Sequence, residues 1–212
     1  MTLTLYYSPG SCALAPHIAL EEIGAPFSLA LVNTDQGEGR SPEFRRINPK
    51  GRVPVLIDNN FQLTETPAIL LHLAMSHPAA SLIPSSGTGL VRTIEWFNWL
   101  SGSVHAVAVR MIWRPYDFTT DTAQTEAVAA KGKEVLASAF SAIDEKLQAS
   151  DWAVDGQYSM VDIFLLVFYR WGNRMKIDMK SNYPAWTRHT QRMLERVAVN
   201  RALTQEMISV WE

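Results

Sequence analysis

Leu3, Leu5 and Tyr7 alternate with Thr2, Thr4 and Tyr6, the period of a short β-strand. Ser8-Pro9-Gly10 breaks it. From Ser11 the chain turns to Ala, Leu, Ile and Glu until Gly24-Ala25-Pro26, which predicts a helix bounded by stop signals. Phe27, Leu29 and Leu31 alternate again in a second strand. Asn33 to Ser41, with Gly37 and Gly39, reads as exposed loop, and Pro42 to Ile47 as a helical turn closed by Asn48-Pro49-Lys50-Gly51. Val53-Pro54-Val55-Leu56-Ile57 is a third strand, whose proline suits a strand start or an edge. Asp58-Asn59-Asn60 turns the chain back into Phe61-Gln62-Leu63, making a hairpin. Thr66-Pro67 then opens a helix, with the threonine as cap and the proline in the first helical position.

Ser76 to Gly89 is rich in Ser, Pro and Gly and marks a domain boundary. Beyond it every pattern is helical. Leu90 to about Trp113 predicts one long helix bent near Gly102, and Thr122 to Ala149 another. Ser159-Met-Val-Asp162 is a helix-cap signature. The helix it starts, Met160 to about Asn173, is apolar nearly all round and should be the buried core helix. Two shorter helices follow Pro184 and Val199. The pattern predicts a small α/β domain over residues 1–78, a linker at 79–88 and an all-helical domain over 89–212.

Composition narrows the function. Net charge is −2 with no long basic run, which argues against a nucleic-acid partner. No apolar run reaches membrane length, and the N-terminus enters a strand without a basic flank or cleavage site. One cysteine cannot close an internal disulfide, so a reducing, cytoplasmic home is expected. The five histidines are scattered without ligand spacing, and no metal site is expected. The single cysteine, Cys12, falls just past the strand-to-turn junction, in the first turn of the predicted helix. Unpaired N–H groups and the positive end of the helix dipole would there lower its thiol pKa.

Five segments, in order and spaced along nearly the whole chain, carry a family resemblance. They are Tyr7-Ser-Pro-Gly-Ser-Cys-Ala-Leu14, Asn48-Pro-Lys-Gly-Arg-Val-Pro54, Leu63-Thr-Glu-Thr66, the helix-borne His105, and the Ser159 to Asp162 box. In these the chain resembles the cytosolic glutathione transferases, most of all the bacterial beta class. The resemblance implies a thioredoxin-like N-terminal domain, a helical C-terminal domain, a homodimer, and a cis bond at Val53-Pro54. It implies glutathione as co-substrate, its thiol activated and conjugated to small apolar electrophiles. The Val53 backbone would pair with the tripeptide as an added strand. Thr66 would hold the γ-glutamyl carboxylate, and Glu65 the ammonium. Lys50, Arg52 and Arg40 are candidates for the glycyl carboxylate. Cys12, Ser11, Tyr7 and His105 are the candidates for thiol activation; where the family often follows its histidine with lysine, this chain has Ala106. The second-substrate pocket would be lined around Val109, Trp113, Arg114, Tyr116 and Phe118. Two alternatives stand beside this reading. One is a glutathione-dependent disulfide reductase or isomerase working through Cys12. The other is a non-catalytic member that binds a macromolecular partner. A thioredoxin-type dithiol is excluded, because the position three after Cys12 is Ala15.

Overall fold

The computed structural model describes residues 3–84 and 87–212. Its N-terminal part is a four-stranded sheet in the order β2-β1-β3-β4. β1 (Leu3–Tyr7) runs parallel to β2 (Phe27–Leu31), and the helix α1 (Leu14–Ile23) makes the crossover between them. β3 (Val55–Asp58) lies antiparallel to β1 and turns through Asn59 into β4 (Phe61–Thr64). The short helix α2 (Pro42–Ile47) and the helix α3 (Thr66–Ser76) complete this part. The third strand is shorter than its apolar run, beginning at Val55 because Pro54 cannot donate to the ladder. Val53 is left outside the sheet.

The remainder is helical. A single continuous helix is built from α4 (Gly87–Asn98), a π-helical stretch over Trp99–Val109, and α5 (Arg110–Trp113). The irregularity expected at Gly102 is therefore a change of hydrogen-bond register carried across eleven residues, not a local bend. α6 (Thr125–Gln148), α7 (Met160–Arg174), α8 (Met179–Asn182), α9 (Pro184–Leu194) and α10 (Val197–Glu206) follow. The one-turn helix α8 carries no apolar period and was not legible in the sequence. Ser85 and Ser86, within the expected linker, lie outside the described residues.

α7 is the core helix that its composition predicts. Thirteen consecutive residues, Met160 to Gly172, are buried. Its start is a complete capping box: Ser159 Oγ accepts the N–H of Val161, and Asp162 accepts the Ser159 N–H at 2.8 Å. One hydrophobic cluster runs from Leu3 and Leu5 of the sheet through α7 to Val210. The two parts of the molecule thus share a core, and the face of the sheet that carries α1 and α3 looks directly at α7.

Candidate active site

Cys12 sits in the turn that joins β1 to α1. This turn is a string of local hydrogen bonds, Ser11 N–H to the Ser8 carbonyl and Leu14 N–H to the Ser11 carbonyl, both at 3.1 Å. The Ser11 hydroxyl accepts the Ala13 N–H at 3.2 Å. α1 proper begins only at Leu14, so Cys12 stands before the helix and not in its first turn. The thiol is half-buried and donates toward the Val53 carbonyl at 3.7 Å, with the Thr66 hydroxyl as a further partner. Burial pushes its pKa up, and Thr66 only partly opposes this. The sequence leads to the expectation of a depressed thiol; burial instead pushes it up, and the helix whose dipole would lower it starts two residues later.

Around Cys12 the structure gathers most of the residues the motifs point to. Val53-Pro54 is cis, and the Val53 backbone faces the thiol from outside the sheet. The turn before it is held by Asn48, which is buried and donates from its side chain to the Arg52 carbonyl at 2.5 Å. Gly51 and Gly39 face each other there: a Cβ on either would come within 2.6 Å of the other's carbonyl oxygen. Those glycines let the Asn33–Ser41 loop close against the Asn48–Arg52 turn.

α3 begins at Thr66 and not after it, so Thr66 is a helical residue and Glu65 occupies the cap position. Glu65 is held at φ 73°, a conformation unusual for a residue with a side chain. Its carboxylate is exposed and pairs with Lys50 at 2.5 Å; Lys50 also donates to the Thr64 hydroxyl at 2.8 Å. Lys50 is thus engaged. Arg52 is exposed, Arg40 likewise, and among the described residues neither guanidinium has a carboxylate partner.

His105 comes from the π-helical stretch and packs at a tilt against Trp171 of α7, ring centroids 4.8 Å apart and planes inclined by 54°. Burial, reinforced by Arg110 and Arg52, lowers its pKa to about 4. The ring is therefore neutral at physiological pH. The charges of Arg52 and Glu65 act on both the Cys12 thiol and the His105 imidazole. Tyr7 is half-buried, packs edge-on to His17 at 5.9 Å, and has its phenol pushed up by burial and then by Glu206. Val109 is fully buried in the core, so it lines no open pocket; Trp113, Tyr116 and Phe118 are exposed, as is Arg114.

No sequence motif marks what holds the Cys12 turn from behind. Glu206, at the end of α10, accepts the Gly10 N–H at 2.7 Å and meets His17 Nδ1 at 2.9 Å. The Gly10 carbonyl takes the Trp171 indole N–H at 2.9 Å and Arg170 at 3.4 Å. Gly10 itself is at φ 66°, and a Cβ there would strike the Arg170 guanidinium at 2.3 Å. His17 and Glu206 are both fully inside. Partners 160 to 196 residues apart leave no local pattern; the only signal was the glycine of Ser8-Pro9-Gly10.

Comparison with known proteins resolves which family this arrangement belongs to. Residues 1–75 match the model of the glutathione S-transferase N-terminal domain, and residues 103–196 that of the C-terminal domain. The chain belongs to the glutathione S-transferase family. A glutathione S-transferase of Xanthomonas campestris is 30% identical, with 96% of this chain and 98% of that protein covered. Among solved structures, a glutathione transferase homologue from Sulfitobacter with bound glutathione superposes with a TM-score of 0.91 at 28% identity. It covers 98% of this chain and 99% of that one. The bacterial beta-class glutathione S-transferase of Sphingomonas chungbukensis gives a TM-score of 0.84 at 32% identity, covering 97% and 100%. The thioredoxin-like sheet, the helical second part and the bacterial, beta-class likeness are thereby established for this glutathione S-transferase. Among the described residues no group of His, Cys, Asp and Glu could hold a metal ion, and no helix is long and apolar enough to cross a membrane.

Proposed function

We propose that this glutathione S-transferase binds glutathione in the cleft between Cys12, Val53 and Glu65, and conjugates its thiol to small apolar electrophiles. The carrying observation is the convergence of those three segments: a thiol within reach of the Val53 carbonyl and the Thr66 hydroxyl, beside a carboxylate held at an unusual backbone angle. The Val53 N–H and C=O lie outside the sheet ladder, the C=O meeting the Cys12 thiol at 3.7 Å, and they would pair with an extended tripeptide. Glu65, released from Lys50, meets the glutathione ammonium. Thr66 and the first N–H groups of α3 take the γ-glutamyl carboxylate. Arg52, with no ion pair of its own, is the better placed cation for the glycyl carboxylate, and Lys50 is secondary because Glu65 already holds it.

Lowering the glutathione thiol pKa by two units needs about 2.7 kcal/mol of differential stabilisation. A neutral His105 supplies no positive charge for this, but its ring N–H can donate to a thiolate. Arg52 contributes the positive field that reaches both His105 and Cys12. Ser11 and Tyr7 remain near the turn, Ser11 already accepting from Ala13 and Tyr7 with a raised phenol pKa. In the conjugation step the sulfur forms a bond to the electrophilic carbon. The leaving group departs with its bonding pair, and the thiol proton passes to solvent. The family's homodimer and a cytoplasmic setting complete the proposal.

The test is steady-state conjugation of glutathione to chlorodinitrobenzene, combined with retention on immobilised glutathione. Retention with turnover well above the uncatalysed rate supports the reading. Retention without turnover, joined to a glutathione adduct on Cys12 that reductant removes, would favour disulfide exchange instead.

A further inference from the structure

The aromatic wall beside His105 is edged with cations that the glutathione site does not use. Trp113 meets Trp171 edge-on with ring centroids 5.2 Å apart, and Trp171 in turn covers His105. Trp113 is 40% exposed and Tyr116, in the turn that follows, 57%. The Arg174 guanidinium lies over the Trp113 ring, 5.8 Å from its centroid, at the end of α7. Arg110 follows His105 on the same continuous helix and pairs with Asp117. Arg114 ends that helix directly after Trp113. Among the described residues neither Arg174 nor Arg114 has a carboxylate partner. Arg174 over the Trp113 ring, and Arg114 as the next residue in the chain, are thus guanidiniums without a carboxylate partner at this aromatic wall, while Arg110 is paired with Asp117.

We propose that the second substrate is an aromatic electrophile carrying a negative charge, such as a ring carboxylate or sulfonate, with its ring against Trp113 and its anion on Arg174 and Arg114. This rests on the conjugation reading above and names the substrate class within it. A guanidinium lying over an indole has its planar fork presented for a bidentate anion. A neutral electrophile would leave that fork to water, whereas an anion gains a charge-assisted hydrogen bond and is drawn in by the local field. The anion takes no part in bond making. Sulfur still displaces halide from the ring carbon, the halide leaving with its bonding pair and the thiol proton going to solvent.

The experiment compares chlorodinitrobenzoate with chlorodinitrobenzamide, which has nearly the same shape without the charge, each rate divided by its uncatalysed reaction with glutathione. The expected result is a KM about fivefold lower for the benzoate at low salt, the gap closing as salt is added. Arg174→Ala should remove most of the benzoate's advantage over the amide, and Arg114→Ala provides a second variant should the first not fold. An amide handled as well as the benzoate, or an advantage that survives in both variants, overturns the proposal. Quenching of tryptophan fluorescence by the unreactive dinitrobenzoate and dinitrobenzamide gives the same comparison for binding alone. Tighter binding of the dinitrobenzoate supports the proposal even in a protein that conjugates neither aryl chloride, an outcome that would count against conjugation only. Equal binding of the two overturns it.

Discussion

Cys12 and His105 both have their charged forms disfavoured by burial, and this sets their behaviour with pH. The Cys12 thiol, pushed up, should react with iodoacetamide at pH 7 no faster than a free thiol, and bound glutathione should slow it further. Rapid alkylation of the unliganded protein, followed by mass spectrometry, would show that the turn stabilises a thiolate after all. His105 is a base whose folded pKa, about 4, lies below the unfolded value near 6.5. Between these values the unfolded chain binds more protons at this residue, so its contribution favours folding above about pH 6.5 and is lost as pH falls toward 4. A His105→Phe variant should therefore lose less Tm than the parent between pH 6.5 and 4.5. Equal losses in scanning calorimetry would contradict the assigned burial. Of these two side chains the motifs revealed the identity but not the electrostatics, because desolvation depends on what packs against a group from distant parts of the chain.

At the scale of elements, the helix caps were the most legible feature and the inter-element clasps the least. The Ser159–Asp162 box is local, and the structure reproduces it with an addition. Asp162 also accepts the Ala153 N–H at 2.9 Å and meets His189 at 2.8 Å, in a fully buried position. Asp162→Ala should therefore cost about 3 kcal/mol or more, beyond a simple cap, since several donors lose their acceptor. Chemical denaturation checks this, and a loss below about 1 kcal/mol would reduce Asp162 to an ordinary cap. α3 starts one residue before the position its Thr66-Pro67 pair predicts, because nothing in a sequence announces a glutamate at positive φ. The Glu206 clasp was invisible for a different reason: an acid at the end of an amphipathic helix normally faces water. Glu206→Ala leaves the buried His17 and the Gly10 N–H without their acceptor. It should lower stability by about 2–4 kcal/mol and raise the KM for glutathione, since the Cys12 turn loses its support. A variant of normal stability with an unaltered KM would remove Glu206 from that role.

For the whole molecule, the shared core from the sheet through α7 to Val210 means that neither half buries its apolar face alone. The order of strands and helices and the core helix were legible from periodicity, and the family from five spaced segments. Around the proposed second-substrate wall the reading was mixed: Trp113 and Tyr116 are exposed and Trp171 is core as α7's composition predicts, whereas Val109, expected to line the pocket, is core. Everything functional in this account depends on glutathione occupying the cleft at Glu65. The decisive measurement is a calorimetric titration of glutathione into the parent protein and a Glu65→Gly variant. Glycine accepts a φ of 73° without strain, so the backbone of the site is kept and only the carboxylate is removed. The expected result is undiminished thermal stability with affinity weakened by roughly 1.5–3 kcal/mol, the worth of a hydrogen bond to a charged group. A folded Glu65→Gly protein that binds glutathione as tightly as the parent would contradict it.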